Sequence, residues 1–585
     1  MKKILLYIIP AVIALITISC EKELLDKKPL DIISDGQVWN DPNLIDAYVI
    51  NLYSRAPLNG MFKNFTWDTW PPISPAEETY LSDEATSGWN WVGEVTDWNK
   101  GLLDGGGAVP VLASWDYTYI RSCNEFLELL PTGNVTEDVK TQRSAEVRFL
   151  RAFMYFTMVK KYGGVPLITV PQKIDAGEAN FVPRNTEKEV YDFIASECDA
   201  IKGVLPEAYA SKDLGRITRF AAMALKSRSM LYAASIAQFG TVQLNGVVGI
   251  PAGDANKYYQ ASYDASLEII SSGKVSLFNK YPDKVKNYSM LFIERENPEI
   301  ILAKYYINGK NGHDYDGFFA PGRFSGFWGS GINVTTELVN AYEMVDGSSG
   351  AIDWANVKGY PSKLLKNKDP RFHASIFYPG APWQGDSIQT WYGIKTTEGN
   401  VVRENNPMSY NGMLQKGRDD DGANRTGFLV RKLLDESMKL PGGGEATHPW
   451  IEFRYGEVLL NMAEAAFELG KTDEAMQYVN QIRQRAGIAN LSSIDMDKIR
   501  QERKVELAFE NQRYYDARRW RIAENEFSKD FGRVYPIYDW NDKTFYFEVG
   551  SADGYTRSFP PKYYYLPITT PRINNNPKLV ENPGY

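Results

Sequence analysis

The sequence predicts a mainly α-helical protein, in which about four helix pairs of tetratricopeptide type form a scaffold for a loop-rich ligand-binding region. Three observations predict it. Helical periodicity runs through the first half of the chain and returns near the C terminus. One pair, "YGEVLLNMAEAAFELGKTDEAMQYVNQIRQRAG" at 455–487, has Ala463 and Ala475 where such pairs need small residues for close helix approach. Between Lys274 and Pro449 that periodicity gives way to Gly, Asn and aromatic residues.

At 585 residues the chain is too long for one simple core. Its composition, 43% hydrophobic with 36 Tyr, 27 Phe and 14 Trp, is that of an ordered protein. The formal charge of −8 and the lack of a basic cluster exclude a nucleic-acid footprint. An acidic, tyrosine-rich surface suits a neutral polar ligand better than a polyanion.

The elements follow in order. "MKKILLYIIPAVIALITISC" has two lysines, an apolar run from Ile4 to Ile18, then Ser19 and Cys20. That is an export signal over 1–19, with Cys20 as the lipidated first residue of the mature chain. Thr17 departs from the usual leucine of that motif, and loss of Lys2 and Lys3 takes the charge to −10. Residues 20–273 form an N-terminal region. Its first helix starts at "DP" (Asp41, Pro42), an N-cap followed by proline. A tryptophan-rich loop spans 60–113 and includes "FTWDTWPP" with Trp67 and Trp70, and "GWNWVGEVTDWN" at 88–99. Helical patterns follow at 114–131, 136–166, 186–206, 218–237 and 256–273; Gly163 and Gly164 stop the second of these. The C-terminal region, 274–585, divides into a loop-rich insertion (274–449) with strand-like "EIILAKYY" and "HASIFYPGAPW", helix pairs (450–525), and an extended tail (526–585). Cys123 and Cys198 sit in helical patterns and read as small core residues.

No catalytic set stands out. "GKT" at 470–472 imitates a phosphate loop, but residue 465 is Ala, and a helix rather than a strand precedes it. His313, His373 and His448 lack zinc-ligand spacing, and there is no GxSxG elbow. A pair of glycosidase carboxylates is not legible from sequence. Asp419, Asp420 and Asp421 in "GRDDDGANR" could supply oxygen ligands to calcium, but their spacing is not that of an EF-hand loop and a solvated turn is the favoured reading. No other cofactor is expected.

"AEVRFLRAFMYFTMVKKYGGVPLI", "GRITRFAAMALKSRSMLYAAS", "VTTELVNAYEMVDG" with "DPRF", "HPWIEFRYGEVLLNMAEAAFELGKTDEAMQYVNQIRQRAG", "IRQERKVELAFENQRYYDARRW" and the closing "NPKLVENPGY" occur in the order found in the SusD/RagB outer-membrane lipoproteins of Bacteroidota. The chain resembles that family along most of its mature length. "EKELLDKKP" after Cys20 likewise resembles a surface-export tag. The resemblance implies a SusD-like scaffold of tetratricopeptide-like helix pairs and a non-enzymatic role. The protein would capture an oligosaccharide at the cell surface, held to the outer membrane through Cys20, and pass it to a SusC-like TonB-dependent transporter. Peptide capture, as in the RagB branch, and an unrecognised glycoside hydrolase are the alternatives.

Sugars offer apolar C–H faces and hydroxyl rims, so a site needs exposed aromatic plates with hydrogen-bonders beside them. Three segments qualify. The first supplies Trp89, Trp91 and Trp98 with Asp97 and Asn99; the family lends a tryptophan and an asparagine to the site where "DWN" stands. The second, "GRFSGFWGSG", supplies Arg323, Phe327 and Trp328, Arg323 also being a candidate loop anchor. The third, "APWQGDSIQTWYG", supplies Trp383, Trp391 and Tyr392. For each tryptophan the competing role is core packing.

Overall fold

The structure is a computed structural model that describes residues 38–58, 75–89, 93–104, 112–404, 409–419 and 423–585. The export signal, Cys20, Trp67, Trp70, Trp91, Asp420 and Asp421 lie outside the described residues.

Helices dominate, and local chemistry sets their ends. Helix α1 (Pro42–Arg55) begins where Asp41 accepts from the Asn43 amide and Pro42 fills the first position. Helices α2 (Tyr117–Leu129) and α3 (Glu137–Tyr162) follow; Gly163, at φ +76°, ends the latter. Thr186 and Glu189 form a reciprocal capping box on α4 (Glu187–Ile201). The Thr218 hydroxyl caps α5 (Arg219–Phe239), which is paired with α6 (Ala255–Ser271). Near the C terminus come α7 (Tyr455–Glu468), α8 (Thr472–Ala486) and α9 (Met496–Glu506). Gly470, at φ +78°, makes the α7–α8 turn, and Ala463 and Ala475 are fully buried, as close pairing requires.

The array runs α2, α3, α4, α5, α6, α7, each helix packed on the next, with α1 against α3 and both α8 and α9 against α7. The pairs are α3 with α4, α5 with α6 and α7 with α8, flanked by α1 and α2 on α3 and by α9 on α7. Helix α6 ends at Ser271, yet its neighbour α7 starts at Tyr455. The chain between them is therefore an excursion from an otherwise continuous array. Its two ends are zipped together: Ile300–Lys304 pairs antiparallel with Trp450–Arg454.

Inside the excursion the helices are short, the longest described being Lys284–Leu291, and short strands lie between them. Three of those strands join Ala85–Ser87 from the N-terminal region in one antiparallel sheet, in the order Ala85–Ser87, Ile332–Val334, Leu429–Val430 and Ile376–Phe377. The tail departs from the extended form read from its sequence. Gly532–Asp539 and Thr544–Ser551 form a hairpin that pairs in parallel with Gly393–Lys395, and Thr570–Asn575 is a short helix. β-Branched and aromatic residues in "RVYPIYD" and "TFYFEVG" favour strands there. Arg184 then holds the chain end, donating to the Val580 carbonyl and to Asn582.

A buried ionic lattice locks excursion to array. Arg371 bridges Asp369, Glu502 and Glu506; Arg454 bridges Glu299, Glu506 and Glu510; Arg485 joins Glu299 and Glu506. Three guanidinium groups hold the Glu506 carboxyl well below the usual range against the effect of its burial. Removing one partner of such a lattice costs about 3–5 kcal/mol, because the others remain buried and uncompensated. Cys123 and Cys198 are buried free thiols, and burial pushes Cys123 up to about 12. No helix among the described residues is long and apolar enough to cross a membrane.

Candidate functional site

The four-stranded sheet explains how distant segments meet. Ser87 lies opposite Ile332, and the Gly88 amide donates to the Gly331 carbonyl at 2.8 Å. This brings Trp89 over "GFWGSG". Its ring crosses Trp328 edge-on with centroids 5.8 Å apart, and Trp328 leans on Phe327, also at 5.8 Å. Beneath lie Phe318 and Phe319, fully buried: Phe318 is 5.5 Å from Trp89 and 5.0 Å from Phe327, and Phe319 stacks on Trp89 at 6.2 Å. The result is a two-layer aromatic shelf, with a closed floor and a half-buried upper layer of Trp89, Phe327 and Trp328.

The shelf is held by backbone. The amides of Trp328 and Gly329 donate to the Gly317 carbonyl, and those of Ser330 and Gly331 to Ala320 and Phe318. Ser325 Oγ also donates to Gly317 O, while accepting from the Phe327 amide. Gly331 is required sterically, since a Cβ there would lie 2.3 Å from Trp89 Cη2.

A polar cluster stands beside it on the same segment. Arg323 Nε donates to Asp419 Oδ1 at 2.7 Å and Nη1 to Asp386 Oδ2 at 3.0 Å, and Arg418 reaches Asp386 at 3.3 Å. Asp419 is wholly buried and accepts the Gln389 amide as well. The Ser387 amide, then Arg323, hold the Asp386 carboxyl below its ordinary range. Arg323 is thus anchored, and two arginines balance two carboxylates. Asp419, engaged twice by protein donors, is committed to that anchor rather than turned out toward a cation.

Several expected plates are not plates. Trp98 is 1% exposed, stacked on Tyr563 at 3.8 Å with Tyr514 at its edge. It sits on a short helix, Gly93–Asn99, where an irregular loop was expected. Asn99 is buried beside it: its side-chain amide donates to the Tyr80 carbonyl, and its own carbonyl accepts from Ser558. Asp97 is exposed on the same helix. Trp383 is 3% exposed, edge-on to Phe377 and under the Arg431 guanidinium. Trp391 is buried against Phe545, with its indole N–H directed to the Leu414 carbonyl. Tyr392 is half-buried, but Tyr535 stacks on it at 4.1 Å and the Arg403 guanidinium lies 3.9 Å from its ring centre. Tyr563 of the tail covers Trp98, the sheet residue Phe377 covers Trp383, and the C-terminal hairpin covers Trp391 and Tyr392, consuming the faces that a ligand would need.

Sequence reading missed the floor, Phe318 and Phe319, although "DGFFAPGRF" shows the pair, and it missed Asp386. It also missed a buried trio. His448 Nε2 lies 2.8 Å from Asp316 Oδ2, and His313 Nε2 lies 3.1 Å from the His448 carbonyl. The Tyr315 amide donates to His313 Nδ1, so both nitrogens of that ring are engaged, and burial drives its pKa well below 6.5. This arrangement is a hydrogen-bonded core cluster in which burial keeps the His313 imidazole neutral.

Comparison with known proteins supplies the remaining finding. The sequence pattern of the SusD family matches residues 298–585, and one described as starch-binding, associating with the outer membrane, matches 23–231. A SusD-like protein of Bacteroides ovatus is 24% identical over 578 residues, covering 96% of this chain and 92% of the relative. Among solved structures, a SusD-like protein from Bacteroides fragilis is 28% identical with a TM-score of 0.74, over 96% of this chain and 100% of that one. A SusD-like carbohydrate-binding protein from the same organism is 22% identical with a TM-score of 0.71, over 93% and 100%.

Proposed function

Because this chain belongs to the SusD/RagB family, we propose that it is a glycan-binding lipoprotein of the cell surface that captures oligosaccharide without cleaving it. In this reading Cys20 carries the lipid anchor in the outer membrane, and a SusC-like TonB-dependent transporter receives the captured ligand. The observation that carries the reading is the shelf: Trp89, Phe327 and Trp328 over a closed phenylalanine floor, with the Arg323–Asp386–Arg418 cluster beside it. Aromatic faces receive the C–H faces of sugar rings, and rigid charged groups at the edge receive hydroxyls. Each ring contributes about 0.5–1.5 kcal/mol if aromatic pairs are a guide. Micromolar affinity needs about 8 kcal/mol, so several rings and the polar edge must act together.

Balanced charge at the edge favours neutral glycans over polyanionic ones. Calorimetry of the mature protein against plant, host and microbial glycans tests this, together with a reducing-end assay on every glycan bound. Binding to a neutral glycan that Trp328→Ala weakens, with no reducing ends released, is the expected result. Heat with peptide mixtures alone would establish peptide capture instead, and release of reducing ends would establish a hydrolase.

A further inference from the structure

A second concave site lies at the other end of the segment that builds the shelf. A cleft of about 590 Å³ opens between the C-terminal half of α1, the turn at 212–216 and residues 303–312. It adjoins a cavity of about 310 Å³ that shares Leu214, Gly215, Arg216, Ala303 and Tyr305 with it and reaches Tyr209. Together they make an elongated trough of the size that holds small ligands, suited to a chain rather than to a compact molecule.

Its walls are apolar and aromatic: Ile50, Leu58, Leu214, Tyr53, Tyr305 and Tyr306. The strongly polar groups there are already engaged. Tyr53 donates to Glu146 and accepts the Ile217 amide, and Arg216 is divided between Asp46 and Glu146. They therefore offer the trough a ring face and methylenes, not charge. The Tyr305 hydroxyl has no hydrogen-bond partner among the described residues, and its burial, which raises it to about 12, keeps it a neutral donor. Ser54, Lys212, Asp213, Lys304 and Asn311 complete the polar rim; Asn311 bonds the Ile307 and Tyr305 backbone, Asp213 pairs with Arg216, and Lys212 makes no ion pair among the described residues. A hydrocarbon chain would leave that rim and the phenol without partners, and a polyanion would find one unpaired ammonium only. Stacking faces with a few neutral hydrogen-bonders match a sugar chain.

We infer that this trough is a second oligosaccharide subsite, which binds the far portion of a chain whose near portion lies on the Trp89–Trp328 shelf. One segment, 305–328, lines the trough at Tyr305 and Tyr306, forms the floor at Phe318 and Phe319, and supplies Phe327 and Trp328. A glycan long enough to reach both sites would gain a second contact at high effective concentration, without a stronger first contact. The inference rests on the glycan reading above.

The test is calorimetry of the mature protein with tri- and octasaccharides of β-1,3-glucose, α-1,4-glucose and β-1,4-xylose. Trp328→Ala alters the shelf, and Tyr305→Ala and Ile50→Arg alter the trough; Ile50 is 54% exposed, so arginine there blocks the mouth without touching the core. In the series that binds, the octamer is expected to bind at least tenfold tighter than the trimer. Both trough variants should remove that advantage and leave the trimer unchanged. An octamer affinity unchanged in Ile50→Arg, with an intact thermal melt, overturns the trough while a Trp328→Ala loss leaves the shelf standing. Binding that survives Trp328→Ala and vanishes in Ile50→Arg overturns the shelf and supports the trough. No binding by any of the six oligosaccharides overturns both.

Discussion

Trp89 and Trp98 stand in one short stretch of chain. The first meets Trp328 edge-on in a half-buried cluster, whereas the second lies flat on Tyr563 with 1% of its surface accessible. Neither composition nor immediate neighbours separates them. What separates them is the partner that arrives from far along the chain. The strand Ile332–Val334 brings the glycine turn before it to Trp89, which stays half-buried, while the C-terminal tail brings Tyr563 down onto Trp98. An aromatic residue becomes a platform or a plug according to what the rest of the fold places on its second face.

That contrast can be broken experimentally. The largest effect is expected from Trp98→Ala: a loss of about 3–5 kcal/mol of stability, as for other buried large-to-small changes. The protein that still folds should bind glycan as wild type does; weakened binding with an unchanged melt would make Trp98 a platform after all. Trp328→Ala should do the reverse, reducing affinity about tenfold, or about 1.4 kcal/mol, with the melt nearly unmoved. Gly331→Ala tests the seat of Trp89, because the added methyl meets its ring at 2.3 Å. A few-fold loss of binding, with Trp89 fluorescence altered, is expected; wild-type binding would show that Trp89 is dispensable.

The smallest effect concerns Glu84, which sits where the shelf-bearing strand meets the scaffold. Its carboxylate accepts the Phe509 amide and the Thr79 and Ser82 hydroxyls, and burial raises its pKa to about 7, with Asp83 adding to the rise. A raised carboxyl binds its proton more tightly in the folded state. It therefore stabilises fully below the unfolded value near 4.5, and that contribution is lost as pH climbs to about 7. Melting followed across that window should show a decline that Glu84→Gln flattens. A variant with the same slope as wild type would remove Glu84 as its source.

The scaffold was legible in the sequence because its determinants are local. Asp41 and Pro42, the Thr186–Glu189 box, Gly163, Gly470 and the small Ala463 and Ala475 each act within a turn or two of their own helix. The shelf was half legible. Phe327 and Trp328 announced themselves among glycines, but Trp89 was one tryptophan of several until Ser87 was placed opposite Ile332. Trp383, Trp391 and Tyr392 have the same composition signature as Trp328 and lose their open faces to Phe377, Phe545 and Tyr535, residues that no local pattern connects to them. The hairpin of the tail was overlooked for another reason: Pro536 sits inside its first strand, where proline argues against a central strand.

The pairing of Ile300–Lys304 with Trp450–Arg454 carries a consequence for how such a molecule can be altered. Because the recognition region leaves and re-enters through two hydrogen-bonded neighbours, its two ends meet at one stem, where Lys304 faces Trp450 across the register. Material beyond that stem can lengthen, shorten or be exchanged for another specificity with the helical seam between α6 and α7 undisturbed, since loop-closure entropy grows only slowly with length. A chimera that joins a different recognition region at these two residues would need to supply cations for Glu502, Glu506 and Glu510 in place of Arg371 and Lys432, and strands to meet Ala85–Ser87 and the C-terminal hairpin.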